Sequence, residues 1–225
     1  MTDSPAIRTE TLQVRRTALV AMRGPEPGAS PPPRELWYIM HGQTMRATAF
    51  LESARALDDG TRLVVAPEAL NRHYLGALSR EAPVGATWMT RDLRDADIAD
   101  NVAYLDTLHA SLTDRLGGHA PPVTLLGFSQ GGATAIRWAA RGAVRPARIV
   151  IWESSLPPDV DHAAMWERCG RPPLTYVCGT RDQWFTPKVL EAQHGVWEAA
   201  GLPFTRVSFE GGHRLDDATL RAVAG

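Results

Sequence analysis

Lysine is almost missing from this chain: Lys188 is the only one, and arginine supplies the rest of the 24 basic residues. Those 24 stand against 25 acidic residues, so no charge excess of either sign exists. The electrostatic footprint of a nucleic-acid binder or of an anionic-membrane binder is therefore lacking. Cysteine is nearly as scarce. Cys169 and Cys178 alone cannot build a disulfide framework, which argues for a cytoplasmic protein. The N-terminal stretch carries no long apolar run, so neither a signal peptide nor a membrane-inserted anchor is expected. No pair of histidines or cysteines has the spacing of a metal site, and no metal or other cofactor is expected. Internal repeats and low-complexity tracts are absent too.

What is present fits one modest core. At 225 residues the chain is long enough for one domain, 1–225, and short for two. Residues 1–10 are polar and read as a loose tail. Gln13–Met22 reads as an outer strand, and the Pro/Gly-rich 24–33 as a loop. Apolar runs at Leu36–Met40, Arg62–Ala66, Pro122–Leu126, Arg148–Trp152 and Pro173–Cys178 read as buried strands, and Phe204–Phe209 alternates with strand period. Helical patterns lie between them at Thr48–Leu57, Asp97–Leu116, Ala133–Ala140, Leu190–Ala200 and Asp216–Val223. Strands alternating with helices predict an α/β protein with a mostly parallel sheet covered on both faces.

One junction carries chemistry. Gly127-Phe128-Ser129-Gln130-Gly131-Gly132 links a buried strand to a helix, and it contains the G-x-S-x-G of a nucleophile elbow. A serine there holds strained backbone angles beside small neighbours, and the helix N-terminus faces any anion forming next to it. A serine needs a base, and the base needs an orienting acid. Gly179-Thr180-Arg181-Asp182 ends one later strand and Glu210-Gly211-Gly212-His213 ends another, so Ser129, Asp182 and His213 fall in the order this chemistry uses. Both candidates lie past the carboxyl ends of strands, where α/β sheets place their working groups. Glu153, after the Arg148–Trp152 strand, is the rival acid. Asp182 also has a plain reading as a helix cap. The amide of Gln130 is the first expected oxyanion donor, and the amide of Gln43, in His41-Gly42-Gln43-Thr44, the second.

These motifs resemble the carboxylesterase/phospholipase/acyl-protein thioesterase branch of the α/β-hydrolase superfamily. The resemblance rests on Met40-His41-Gly42, the GFSQGG elbow, Gly179-Thr180-Arg181-Asp182 and Gly211-Gly212-His213. A segment from Trp88-Met89 through Asp97–Asp106 adds to it. It implies an α/β-hydrolase fold without a large lid domain, and hydrolysis of short- to medium-chain carboxylic esters or thioesters through an acyl-enzyme on Ser129. Two departures bear on the substrate. The family often continues its oxyanion loop as HG-x-G-D, where this chain has Gln43-Thr44-Met45, and the loop Gln183–Pro187 after the acid is bulky.

Candidate pocket walls are Gln43, Thr44, Met45, Trp88, Met89, His73, Tyr74, Trp184 and Phe185, with Asn71 nearby; aromatic residues at strand ends serve equally as core or rim. Leu156–Pro173 is the one segment available for a small cap. His41 reads as a structural residue behind the oxyanion loop. His73, His109, His119, His162 and His194 read as surface or loop residues, and Asp216 and Asp217 as caps of the last helix. The expected partner is a small ester or thioester, with no nucleic acid and no stable membrane insertion; the oligomeric state, a homodimer included, stays open. A non-catalytic binder on the same fold and an acyltransferase using the same three residues are the alternatives.

Overall fold

The computed structural model describes residues 7–77, 79–118 and 120–225. Most of the expected tail, and His119, lie outside them. Seven strands form the central sheet: β1 (Val20–Arg23), β2 (Glu35–Met40), β3 (Arg62–Pro67), β6 (Val123–Phe128), β7 (Arg148–Trp152), β8 (Leu174–Gly179) and β9 (Phe204–Phe209). Their order is β1-β3-β2-β6-β7-β8-β9, and only β1 runs antiparallel. A separate antiparallel hairpin pairs β4 (Asn71–Tyr74) with β5 (Val84–Thr87).

The inner strands are apolar throughout because both of their faces are covered, as parallel sheets require. Leu36, Trp37, Tyr38, Ile39 and Met40 of β2 are all fully buried. On one face lie α2 (Arg94–Arg115), α3 (Gln130–Arg141), α4 (His162–Arg168) and α5 (Pro187–Ala199). The other face is covered by α1 (Ala47–Ser53), a short 3-10 turn at Arg55–Leu57 and α6 (Asp217–Ala224). Five tryptophans, Trp37, Trp88, Trp138, Trp152 and Trp197, are fully buried, so the core is built on large aromatic side chains.

Two expectations are corrected. The outer strand covers only Val20–Arg23, and 13–19 runs free of secondary structure. The cause is the partner: β3 ends at Pro67, which faces Val20, and the ladder stops there. The β4–β5 hairpin went unforeseen. Leu156–Pro173 contributes only α4, which packs on α3 through Arg168 and Cys169, both bonded to the Ala139 carbonyl. Among the described residues no large lid is present, and no helix is long and apolar enough to cross a membrane.

Candidate active site

Ser129 follows β6 directly and precedes α3. Its backbone sits at φ 52°, ψ −125°, a region that non-glycine residues avoid. The surroundings hold it there. The Ser129 amide donates to the Trp152 carbonyl at the end of β7 (2.9 Å), and its own carbonyl accepts from Gly132 (3.0 Å). The amide of Gln130 opens α3, and the first N–H groups of a helix have no partner within it.

His213 lies on the loop after β9 and Asp182 on the loop after β8. The two loops are laced together: the Thr180 amide donates to Phe209 O (2.9 Å) and the Arg181 amide to Gly211 O (2.7 Å). This lacing brings His213 Nδ1 to 2.7 Å from Asp182 Oδ2. The other Asp182 oxygen accepts the amides of Trp184 (2.7 Å) and Phe185 (3.1 Å). Burial alone raises the Asp182 carboxyl, but the His213 bond and these two amides outweigh it and hold the group below its ordinary value. With Asp182 ionised, the proton of neutral His213 belongs on Nδ1, which leaves Nε2 as the basic nitrogen. Phe128 and Phe185 fix the ring on its two sides, with centroids at 4.7 and 6.0 Å. Asp182 does not cap α5, whose N-cap is Thr186, whereas Asp216 does cap α6 by accepting from Thr219.

Ser129 and His213 line one cavity of about 320 Å³ with Gly42, Gln43, Met45, Phe50, Phe128, Arg214 and Leu215. A recess of about 410 Å³ between the N-terminal segment and α2 shares none of these residues. Of the sequence-derived pocket candidates, Gln43 and Met45 reach the cavity. Thr44 adopts φ 67° and gives its amide to Ala86 O (2.8 Å), which pins the loop after β2 to β5. That amide is spent on the hairpin. Phe185 backs His213 from a buried position, and Trp184 beside it is 65% exposed.

Trp88, Met89, His73 and Tyr74 line no part of this cavity, which corrects the expected pocket. Trp88 is 1% exposed and donates from Nε1 to the His41 carbonyl (2.8 Å), so it braces the loop after β2 from behind. Met89 faces Arg137 of α3. His73 and Tyr74 ride on the exposed side of β4. Phe50, Phe128 and Leu215 are the walls that sequence reasoning missed. The signal was available for Phe128 and Leu215, which sit within two residues of Ser129 and His213.

The side chain of Gln130 also has an unforeseen task. It accepts from the Trp88 amide (2.8 Å) and the Thr87 hydroxyl (2.9 Å) and donates to Met89 O (2.9 Å), tying the elbow to the tryptophan loop. Gln130→Ala would leave a buried amide unpaired, a loss of about 1–3 kcal/mol. We expect a fall in Tm of about 3–10 °C in thermal unfolding, with the oxyanion amide itself retained.

His41 is structural in its contacts. Nε2 accepts from the Ala69 amide (3.0 Å), so Nδ1 carries the proton and donates to Gly42 O (2.7 Å). Burial holds its pKa below the ordinary value. Three other histidines are packed into the fold where surface or loop positions were expected. His109 on α2 bonds to Tyr38 Oη, buried His162 on α4 accepts from Trp197 Nε1, and His194 on α5 packs edge-on to Tyr176. All three lie on helices against the sheet; His109 and His162 pair with a polar group there, and His194 packs among aromatic rings.

Glu153 stands beside the acid–base pair, with Oε2 3.4 Å from His213 Nδ1. Glu153, Asp182 and His213 are the one three-residue grouping among the described residues with metal-ligand geometry. Their hydrogen bonds are those of an acid–base pair with a second acid behind it. Asp182 is the nearer acid by 0.7 Å, from 2.7 against 3.4 Å.

No family model matches the sequence, and no curated protein does. Among solved structures, the chain is similar to esterase PE8 at 17% identity, with 93% of this chain and 97% of that one covered and a TM-score of 0.67. Acyl-protein thioesterase 2 of Zea mays follows at 16% identity, 92% and 96% coverage and 0.66. TT1662 from Thermus thermophilus has 20% identity, 95% and 96% coverage and 0.65. The chain has the α/β-hydrolase fold. In this α/β-hydrolase fold the elbow lies at the end of the central β6 strand, and the loops after β7, β8 and β9 converge on it. At such identities the likeness is one of architecture, and the chemistry has to be argued from the residues themselves.

Proposed function

We propose that this protein is a cytoplasmic serine hydrolase that cleaves short- to medium-chain carboxylic esters or thioesters. The observation that carries the reading is the shared cavity: a serine at φ 52°, ψ −125° and a histidine braced by a carboxylate at 2.7 Å face the same space. His213 Nε2 takes the proton of Ser129 as its oxygen attacks the acyl carbon, and Asp182 stabilises the imidazolium. The amides of Gln130 and Gln43 hold the oxyanion. The leaving group departs with the proton from His213, and water attacks the acyl-enzyme by the reverse route.

Met45, Phe50, Phe128 and Leu215 give the cavity apolar walls suited to an acyl chain. Its volume, about 320 Å³, is at the small end of the roughly 300–1,000 Å³ of ligand sites, which favours short and medium chains over long ones. The test is a series of p-nitrophenyl esters from acetate to decanoate, with matched acyl thioesters. We expect kcat/KM to rise and then fall along the series, with the maximum before decanoate. A rate still climbing at decanoate would refute the pocket assignment, and no turnover of any member by folded protein would refute the hydrolase reading.

A further inference from the structure

Glu153 is buried as few carboxyl groups are. Its side chain is 0% exposed and its backbone is held at φ 47°, with its amide bonded to Val177 O (2.9 Å). Oε1 accepts from the Gly179 amide (2.8 Å). Oε2 has no hydrogen-bond donor, and it is the oxygen that faces His213 Nδ1 at 3.4 Å. An ionised carboxylate in that position would hold an unmet acceptor against a neighbouring anion, Asp182. A neutral one turns the same oxygen into a donor, and a carboxylate oxygen of Asp182 lies within 4.8 Å of one of Glu153.

We propose that Glu153 is a positioning residue for the His213–Asp182 pair: its neutral carboxyl donates from Oε2 to the Asp182 carboxylate and holds that carboxylate against His213. This role rests on the hydrolase reading above. No proton passes between the two carboxyl groups during turnover; Asp182 stays the anion and Glu153 the acid.

The other charged and titratable groups around Glu153 agree. From β8 it meets Cys178 and Tyr176, both pushed well above their ordinary values by burial first, Cys178 to about 12, so neither brings a charge. From the loops it meets Asp182 and His213. Arg214 turns its guanidinium to Asp216, and no arginine pairs with Glu153 among the described residues. Burial pushes the Glu153 carboxyl up to about 8; the Gly179 and Arg214 amides oppose the rise and the Asp182 charge adds to it. Glu153 is therefore neutral at pH 7 and ionises as the pH passes about 8. Two carboxylates then share one site, Asp182 is repelled, and a second anion lies next to Nδ1 and favours the protonated ring. Each effect lowers activity on the alkaline side.

The experiment compares wild type, Glu153→Gln and Glu153→Leu between about pH 6 and pH 10, the range that brackets the shifted carboxyl. The readouts are p-nitrophenyl butyrate hydrolysis and the low-field NMR resonance of the His213 Nδ1 proton. Wild type should lose kcat/KM above about pH 8, and its resonance should step with the same midpoint. Glutamine keeps the Oε1 acceptor and gives a permanent donor, so the alkaline fall and the step should both vanish. Leucine should lower kcat at neutral pH by about tenfold or more, with KM little changed, the cost of one hydrogen bond to a charged group. Glutamine should restore most of that loss. An alkaline fall and a resonance step that persist unchanged in Glu153→Gln would overturn the role. So would a wild-type resonance with no step near pH 8. The resonance needs no turnover, so it decides the role of Glu153 even where no ester is cleaved, an outcome that would count only against the hydrolase reading.

Discussion

Ser129→Ala is expected to lower kcat on the best p-nitrophenyl ester by about 10⁵-fold or more, the scale seen when a nucleophile is removed from a triad. The residual rate would come from binding and the oxyanion donors alone. No neighbouring group can stand in. Cys178 is the nearest thiol to the acid–base pair, but burial, then the Glu153 and Asp182 charges, push it to about 12, and it lines a recess behind Asp182 that excludes Ser129. Ser53, the other hydroxyl lining the cavity, is engaged in donating to the Phe50 carbonyl (2.7 Å). The fold should be untouched. Alanine accepts the same backbone angles at about the same cost as serine, and the elbow's bonds to Trp152 and Gly132 are made by the main chain. The variant should therefore melt within about 2 °C of wild type, since about 0.5 kcal/mol is the scale of a change that touches no core contact. Activity within tenfold of wild type would show that another group performs the attack.

Ser129, Asp182 and His213 could be picked out in the sequence as candidates because each sits at a junction with two independent signals. Ser129 lies between a buried strand and a buried helix, and Asp182 and His213 each follow a strand-forming run with glycines at the turn. The inner strands were equally legible, since burial on both faces leaves an unbroken apolar run. Burial of the side chains on a loop was not legible. Trp88 and Phe185 follow strands in the same way, yet Trp88 braces the loop after β2 from inside and Phe185 stacks on His213. The β4–β5 hairpin was invisible for a related reason. Asn71-Arg72-His73-Tyr74 is too polar to read as a strand and Val84-Gly85-Ala86-Thr87 too short and small, and Ala86 takes its place by exchanging backbone bonds with Thr44 and Met45. Gln13–Leu19 made the opposite error: it reads as strand, but β3 ends at Pro67, opposite Val20, and the ladder stops there. Glu153 shows the limit most sharply. Two acids after adjacent strands look like rivals on paper, and only the geometry brings both to one histidine.

Gly131→Ala should be the most damaging single-methyl change at the site. A Cβ on Gly131 would lie 2.1 Å from Met40 O, 2.5 Å from Met40 C and 2.7 Å from His41 O. All three atoms are backbone, at the end of β2, so no side chain can swing aside. Relief requires α3 to move off the strand by about an ångström, against a core that is close-packed on every side. Overpacking of this kind costs about 1–3 kcal/mol where side chains absorb it, and more where backbone must. We expect a loss of about 3 kcal/mol or more and a fall in Tm of about 6–12 °C. Activity should suffer separately. Gln130 rides on α3 and Gln43 on the loop after β2, so the displacement pulls apart the two amides proposed to hold the oxyanion; a misplacement of about 1 Å can cost about 10²-fold. The loss should appear in kcat more than in KM, because the oxyanion exists only at the transition state. Gly195 supplies the contrast. It lies in α5, where an added Cβ meets nothing within 4 Å. Alanine there should stabilise by about 0.5–1 kcal/mol through helix propensity and leave kinetics unchanged. A stabilisation at Gly131 equal to that at Gly195 would mean that α3 has room for the methyl and that its contact with β2 does not limit the site.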